Sequence, residues 1–481
     1  MAQLYDFGMI GLGVMGSNLL LNLADHHFKV AGFDVKPERG AALEAAAKEG
    51  TVAKGFSTLK DMVQALQKPR KIMMLVPAGK PVDDVIQSLL PHLEEGDIVI
   101  DGGNSYFKDT LTRNTYLQEK GIHFMGMGVS GGELGARLGP SMMPGGDKEA
   151  YQYLKPLLES IAAKADEVPC VAYMGKGAAG HYVKMVHNGI EYAMMQLISE
   201  VYDIMRRGAG FTNDELYTTF KQWNKGPLQS FLVNITAEIF KTADDETDTE
   251  DDYLIDKILD EAGAKGTGKW TSQEGMNLGV PIPTIDAAVT ARNLSGFRQE
   301  RIEAAALYKS KALKISGDKA SLAETLGHTL HFAFIVSYTQ GMALLHSAST
   351  AYSMDIPMQA VVQVWKAGCI IRSSLLQTFE KAFAKKEDLP NLLLDEEIAS
   401  LLLQQEDSLR QVVAQAVKAR IPVAALSSAL AYFDAYRTER LPINLVQAQR
   451  DYFGAHTYER IDRDGVFHTE WTKGKEEENA G

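Results

Sequence analysis

Phe7-Gly8-Met9-Ile10-Gly11-Leu12-Gly13-Val14-Met15-Gly16 is an apolar run that ends in G-x-G-x-x-G. Residues 7–12 read as a buried strand and residues 17–24 as an amphipathic helix, the context in which this motif cradles a dinucleotide. Gly11 permits the tight turn, Gly13 lets the backbone approach a pyrophosphate, and Gly16 lets helix and strand pack closely. Leu12, Val14 and Met15 complete the loop, whose amides and helix N-terminus suit an anion. Eighteen residues past Gly16, Asp34 closes the second apolar run. An acid there accepts hydrogen bonds from the adenosine ribose and repels a 2′-phosphate, which favours NAD over NADP. Two other readings stay open: Asp34 only ends the strand, or Lys36, beyond Val35, binds a phosphate.

Outward from this motif, residues 30–34, 71–76 and 98–101 read as further strands buried on both faces. An amphipathic segment follows each, the pattern of a parallel sheet with crossover helices. After about residue 177 the strand signals nearly vanish. Helices follow one another to about residue 437, broken at Gly210, Gly226-Pro227, Pro281, Pro283, Pro357 and Pro422. The expected fold is therefore an α/β dinucleotide-binding domain of the Rossmann type (1–177), a large all-α domain (178–437) and a C-terminal tail (438–481). Trp223-Asn224-Lys225-Gly226 and Trp365-Lys366-Ala367-Gly368, each followed by an apolar-periodic helix, suggest a duplicated helical unit. The acidic run 244–252 reads as a solvated loop and 473–481 as a polar tail.

A net charge of −13 argues against a general role on nucleic acid or anionic membranes, so an anionic substrate needs a locally built basic pocket. The two cysteines, Cys170 and Cys369, lie far apart in no ligand spacing. A metal site of cysteines and a disulfide framework are not expected, and a reducing cytoplasm is. No signal peptide or membrane span is expected either.

The chemistry gathers on Lys184-Met185-Val186-His187-Asn188-Gly189-Ile190-Glu191-Tyr192. On a helix, Lys184, His187, Asn188 and Glu191 stand at i, i+3, i+4 and i+7, which puts a base, an acid and two hydrogen-bonding groups on one face. An isolated Lys/Glu pair at this spacing more often marks a solvated face. Asp101-Gly102-Gly103-Asn104-Ser105 follows a strand at the carboxyl edge of the sheet, where Asn104 contacts substrate or nicotinamide or only makes the turn. Ser130-Gly131-Gly132 offers a hydroxyl and successive amides to an anion.

These motifs, with Lys265-Gly266-Thr267-Gly268-Lys269-Trp270, Ala291-Arg292-Asn293 and Gln449-Arg450-Asp451-Tyr452-Phe453-Gly454-Ala455-His456, occur in the order of one family. The chain resembles the long-form decarboxylating 6-phosphogluconate dehydrogenases over nearly its whole length. The resemblance implies metal-free oxidation and decarboxylation of 6-phosphogluconate to ribulose 5-phosphate. It makes Lys184 the base on the C3 hydroxyl and Glu191 the acid that protonates C1 of the enediol left when CO2 departs. It implies that Ser130, Gly131, Gly132, Asn188 and Glu191 hold the carboxylate end, with His187 and Asn104 on substrate hydroxyls. Tyr192, Lys265, Arg292 and Arg450 make the phosphate pocket. Arg450 and His456 reach the neighbouring subunit's site, so a homodimer is expected.

Two departures concern the cofactor. The family usually reads Asn-Arg-Ser/Thr where this chain has Asp34-Val35-Lys36, and Val-Lys-Ala-Gly where it has Val76-Pro77-Ala78-Gly79. Both missing cations belong to the NADP side. One rival reading is another NAD-dependent β-hydroxyacid dehydrogenase acting on a sugar acid without phosphate; it predicts loss of Arg292, Arg450 or His456. A catalytically silent NAD-binding dimer predicts loss of Lys184 or Glu191. All five are present.

Overall fold

The computed structural model describes residues 4–246, 252–309 and 311–471. The 473–481 tail and most of the acidic run lie outside them. The chain forms two compact units, 1–429 and 430–481.

The first unit opens with a seven-stranded sheet: β1 (Phe7–Ile10), β2 (Val30–Phe33), β3 (Ala53–Phe56), β4 (Lys71–Met74), β5 (Ile98–Asp101), β6 (His123–Ser130) and β7 (Ser141–Gly146). The order is β3-β2-β1-β4-β5-β6-β7, all parallel except the antiparallel pair β6 and β7. Successive side chains point to opposite faces, so Ile72 and Met74 enter one core and Met73 the other. Three strands stop short of their apolar runs. Gly11 takes φ +93° and turns the chain after Ile10. Leu75 N still donates to Ile10 O (2.9 Å), but Pro77 has no N–H with which to extend the ladder.

Helices follow from Ala179, and the site helix is Ala179–Asp203. Among the described residues no helix is long and apolar enough to cross a membrane. The site helix packs on β6 and β7 through glycines: a Cβ on Gly180 would lie 2.2 Å from Gly126 O and 2.3 Å from Met143 O. Gly180→Ala therefore forces the helix off the sheet. We expect a loss of about 1–3 kcal/mol of stability, read as a lower urea midpoint with an unchanged slope.

The tryptophan repeat appears as two helix–turn–helix units. Asn213–Trp223 leads to Phe231–Lys241, and Met358–Trp365 leads to Leu375–Lys385. Their turns pair: Phe231 N donates to Arg372 O (3.1 Å) and Ser374 N to Gln229 O (2.9 Å). Trp223 abuts Gly327 of the long helix Lys319–Ala351, while Trp365 meets His187 of the site helix edge-on, centroids 5.7 Å apart.

The second unit carries more structure than a simple tail: a helix, Ile443–Gly454, and a two-stranded hairpin, Tyr458–Glu459 with Val466–Phe467. It begins at Leu430, inside the helix Ala424–Tyr436. Asp451 is its organising centre. Its carboxylate accepts from Thr457 N (2.9 Å), Thr469 N (3.1 Å), His468 Nδ1 (2.8 Å) and Trp471 Nε1 (2.8 Å). Desolvation opposes the charge, yet these donors hold the carboxyl down at about 2. Asp451→Ala leaves them without an acceptor, and faster amide exchange at Thr457 and Thr469 is the expected result.

Candidate active site

The cofactor residues meet at the carboxyl ends of β1, β2 and β4, where the strand order reverses and α/β sheets bind ligands. Gly11, Gly13, Phe33, Asp34, Val35, Arg39, Val76 and Pro77 line part of a cleft of about 600 Å³. The glycines of the loop differ in the space around them. A Cβ on Gly16 would lie 1.9 Å from Gly11 O, while one on Gly13 meets nothing within 4 Å, so backbone is open to a ligand there. Val14, Met15 and Gly16 form the first turn of the helix Val14–Asp25.

Asp34 is buried and both oxygens of its carboxylate accept hydrogen bonds. Oδ2 accepts from Leu12 N (2.7 Å) and Arg39 Nη1 (3.0 Å), and Oδ1 accepts from Lys36 N (2.9 Å). Burial opposes ionisation, but these donors keep the carboxyl below its ordinary value, so the charge is permanent near neutrality. Lys36 contributes its backbone to this acid. Arg39, five residues on, escaped the sequence reading because it stands outside the motif.

The face of the site helix is not solvated. Lys184 is 6% exposed and His187 is fully buried. Lys184 Nζ lies 3.4 Å from His187 Nδ1, which is 3.0 Å from Asn188 Oδ1 and 3.8 Å from Glu191 Oε2. The other ring nitrogen, Nε2, lies 3.4 Å from Ser130 Oγ. The imidazole thus joins the helix face to the Ser130-Gly131-Gly132 loop. Gly131, at φ +120°, lets that loop turn against the second tryptophan turn; its Cβ would lie 2.6 Å from Gly368 O.

Burial drives the electrostatics. It lowers the Lys184 pKa below its ordinary value, against the pull of the Glu191 charge. It also keeps His187 neutral, with Lys184 pushing the same way and the Asn188 bond opposing. Glu191 is raised by burial, against Lys184 and Arg292. Burial thus shifts a lysine toward its neutral form and a carboxyl toward its protonated form two turns apart, the directions in which a general base and a general acid are tuned.

Arg292 stacks on Tyr192, its guanidinium carbon 3.9 Å from the ring centroid. Lys265 is exposed in the segment before the helix Thr267–Leu278, and Asn104 is exposed in the turn after β5. Ala78 and Val76 lie in the loop after β4. Arg450 and His456 belong to the second unit, at and just beyond the end of its helix. Two contributors were missed. Thr267 accepts from Asn188 Nδ2 (3.1 Å), and Trp365 packs on His187. Both stand inside motifs already quoted, but only the folded chain shows which motif member turns inward.

Both halves of the chain match known families. Residues 6–175 match the model of the NAD binding domain of 6-phosphogluconate dehydrogenase, and residues 180–471 that of its C-terminal domain. A decarboxylating 6-phosphogluconate dehydrogenase of Lactococcus lactis subsp. lactis (strain IL1403) is 50% identical over 468 residues, 97% of this chain and 98% of the relative. One of Bacillus subtilis (strain 168), named as NADP(+)-dependent, is 50% identical over 469 residues, 97% of this chain and 99% of the relative. The solved Plasmodium falciparum 6-phosphogluconate dehydrogenase, described in apo form and in complexes with its cofactor NADP+ and its substrate 6-phosphogluconate, superposes with a TM-score of 0.93. It is 44% identical and covers 97% of this chain and 100% of that one. Both family models and the nearly full-length similarity converge: the chain belongs to the decarboxylating 6-phosphogluconate dehydrogenase family of oxidoreductases.

Proposed function

We propose that the protein oxidises 6-phosphogluconate at C3 and releases CO2 to give ribulose 5-phosphate, with NAD as its preferred acceptor. The observation that carries this reading is the buried Lys184 beside a neutral His187, two turns from Glu191. Bound nicotinamide supplies the acceptor for the C3 hydride. Lys184, as the neutral amine, takes the C3 hydroxyl proton. The resulting ammonium then hydrogen-bonds the 3-keto oxygen, which draws in electrons as the bond from C2 to the carboxylate breaks. Glu191 delivers a proton to C1 of the enediol. Ser130, Gly131, Gly132 and Asn188 hold the carboxylate end, His187 and Asn104 the hydroxyls, and Tyr192, Lys265 and Arg292 the phosphate.

NAD preference rests on Asp34, whose charge is maintained where a 2′-phosphate would lie, and on Pro77 in place of a cation. One observation favours NADP instead. The Arg39 side chain is 40% exposed and could exchange Asp34 for a phosphate, and two relatives are named with NADP.

Arg450 and His456 complete the phosphate end of a neighbouring subunit's site in this reading. The exposed Leu445, Val446, Tyr452 and Phe453 on their helix suit burial against a second copy. Initial rates with 6-phosphogluconate and each cofactor, with the oligomeric state measured alongside, test the reading. No turnover with either cofactor overturns it.

A further inference from the structure

A buried polar chain links three pieces of the site. Arg113, on the helix Phe107–Gln118, and Asp101, at the end of β5, are 5% and 0% exposed. Arg113 Nη2 donates to the carbonyl of Gly79 (3.1 Å), which closes the 76–79 loop beside the cofactor cleft, and Nε donates to Asp83 Oδ1 (2.7 Å). Its Nη1 lies 3.5 Å from Asp101 Oδ2. The Asp101 carboxylate clamps the following turn, accepting from Gly103 N with Oδ1 (3.0 Å) and from the Ser105 hydroxyl with Oδ2 (2.6 Å). Asn104 stands between those two residues.

The Asp101 carbonyl continues the chain, accepting from His181 Nε2 (3.0 Å). A carbonyl only accepts, so Nε2 carries the ring proton, and Nδ1 is left to accept from the Thr110 hydroxyl at 2.7 Å. His181 is 1% exposed and sits one helical turn before Lys184. Burial lowers its pKa and keeps this tautomer neutral. Cofactor loop, Asn104 turn and base-bearing helix are thus joined through buried hydrogen bonds and one ion pair, that of Arg113 Nη1 with Asp101, in which Nη1 makes no hydrogen bond.

We propose that Arg113, Asp101 and His181 are positioning residues that fix the Asn104 turn and the cofactor loop against Lys184 for hydride transfer. The inference rests on the dehydrogenase reading above. Hydride transfer needs its reacting atoms within a few tenths of an ångström, and a misplacement of about 1 Å costs on the order of 10²-fold in rate. Asp101→Asn keeps the shape and the Gly103 contact but removes the charge facing Arg113.

The test compares kcat, KM and the kinetic isotope effect with 6-phosphogluconate deuterated at C3. Asp101→Asn is expected to lower kcat about 10²-fold with little change in KM, and to raise the isotope effect as hydride transfer becomes slower than the other steps. Arg113→Met follows it, and Arg113→Lys recovers part of the loss. His181→Leu follows too, while His181→Gln, which keeps a donor for the carbonyl, recovers part. If Asp101→Asn keeps the parent kcat and isotope effect, or if kcat falls with an unchanged isotope effect and in step with the folded fraction, the inference is wrong. A parent enzyme inactive with either cofactor overturns the dehydrogenase reading and this inference together; an active parent with unaffected variants overturns this inference alone.

Discussion

Lys184→Ala is expected to lower kcat by about three orders of magnitude while the protein still folds and binds dinucleotide. General acid–base catalysis contributes on the order of 10²–10⁴-fold, and this one amine serves twice, as base in oxidation and as acid toward the keto oxygen. The pH dependence follows from the same site. Lys184 works as base when neutral, so activity falls as pH drops below its pKa, which burial has moved down from the ordinary 10.5. Glu191 works as acid when protonated, so activity also falls as pH rises above its pKa, which burial has moved up from 4.5. The expected kcat profile is a bell, and Lys184→Ala removes its acid limb. Lys184→Arg should not restore turnover, because a guanidinium stays charged. A Lys184→Ala enzyme with a tenth of the parent kcat would remove the assigned base.

Cofactor choice carries the second large effect. A 2′-phosphate about 4 Å from the Asp34 carboxylate meets a repulsion of about 1–4 kcal/mol, depending on the effective dielectric. That converts to roughly 5- to 1,000-fold in kcat/KM in favour of NAD. The penalty persists across the neutral range, since the Leu12, Lys36 and Arg39 donors keep Asp34 ionised. Asp34→Asn should raise kcat/KM with NADP and weaken NAD at the ribose, with both measured at fixed ionic strength. It also frees Arg39, so the gain with NADP should shrink in Asp34→Asn/Arg39→Ala. A parent enzyme that uses NADP as well as NAD would mean that Arg39 already leaves Asp34 for the phosphate.

Three strands of the seven-stranded sheet were not legible in the sequence, and the reason is specific. The segments of β6 and β7 read His-Phe-Met-Gly-Met-Gly-Val-Ser and Ser-Met-Met-Pro-Gly-Gly, poor in the β-branched residues that mark a strand. Their glycines answer to the site helix instead. A Cβ on Gly126 would lie 2.7 Å from His181 Nδ1, one on Gly128 2.3 Å from Lys184 Cβ, and one on Gly145 2.2 Å from Gly180 N. Close packing against this helix outweighed strand propensity, so the segments that seat Lys184 look least like strands. The edge strand β3, Ala-Lys-Gly-Phe, is hidden for a simpler reason: it carries no β-branched residue.

By itself the sequence determined the glycine loop after the first strand, the change from a parallel sheet to helices, and which residues share the Lys184–Glu191 face. Periodicity and glycine spacing are local properties that need only neighbouring residues to be read. The tertiary structure alone decided that this face is buried and not solvated. It also decided that His187 is clasped by Ser130 and Trp365, that Asp34 is held by Arg39, and that Arg113 and His181 meet through Asp101. Each of these depends on desolvation or on contacts between segments far apart in the chain. How strongly a lysine's charge is disfavoured depends on how much water it keeps, and Lys184 keeps almost none.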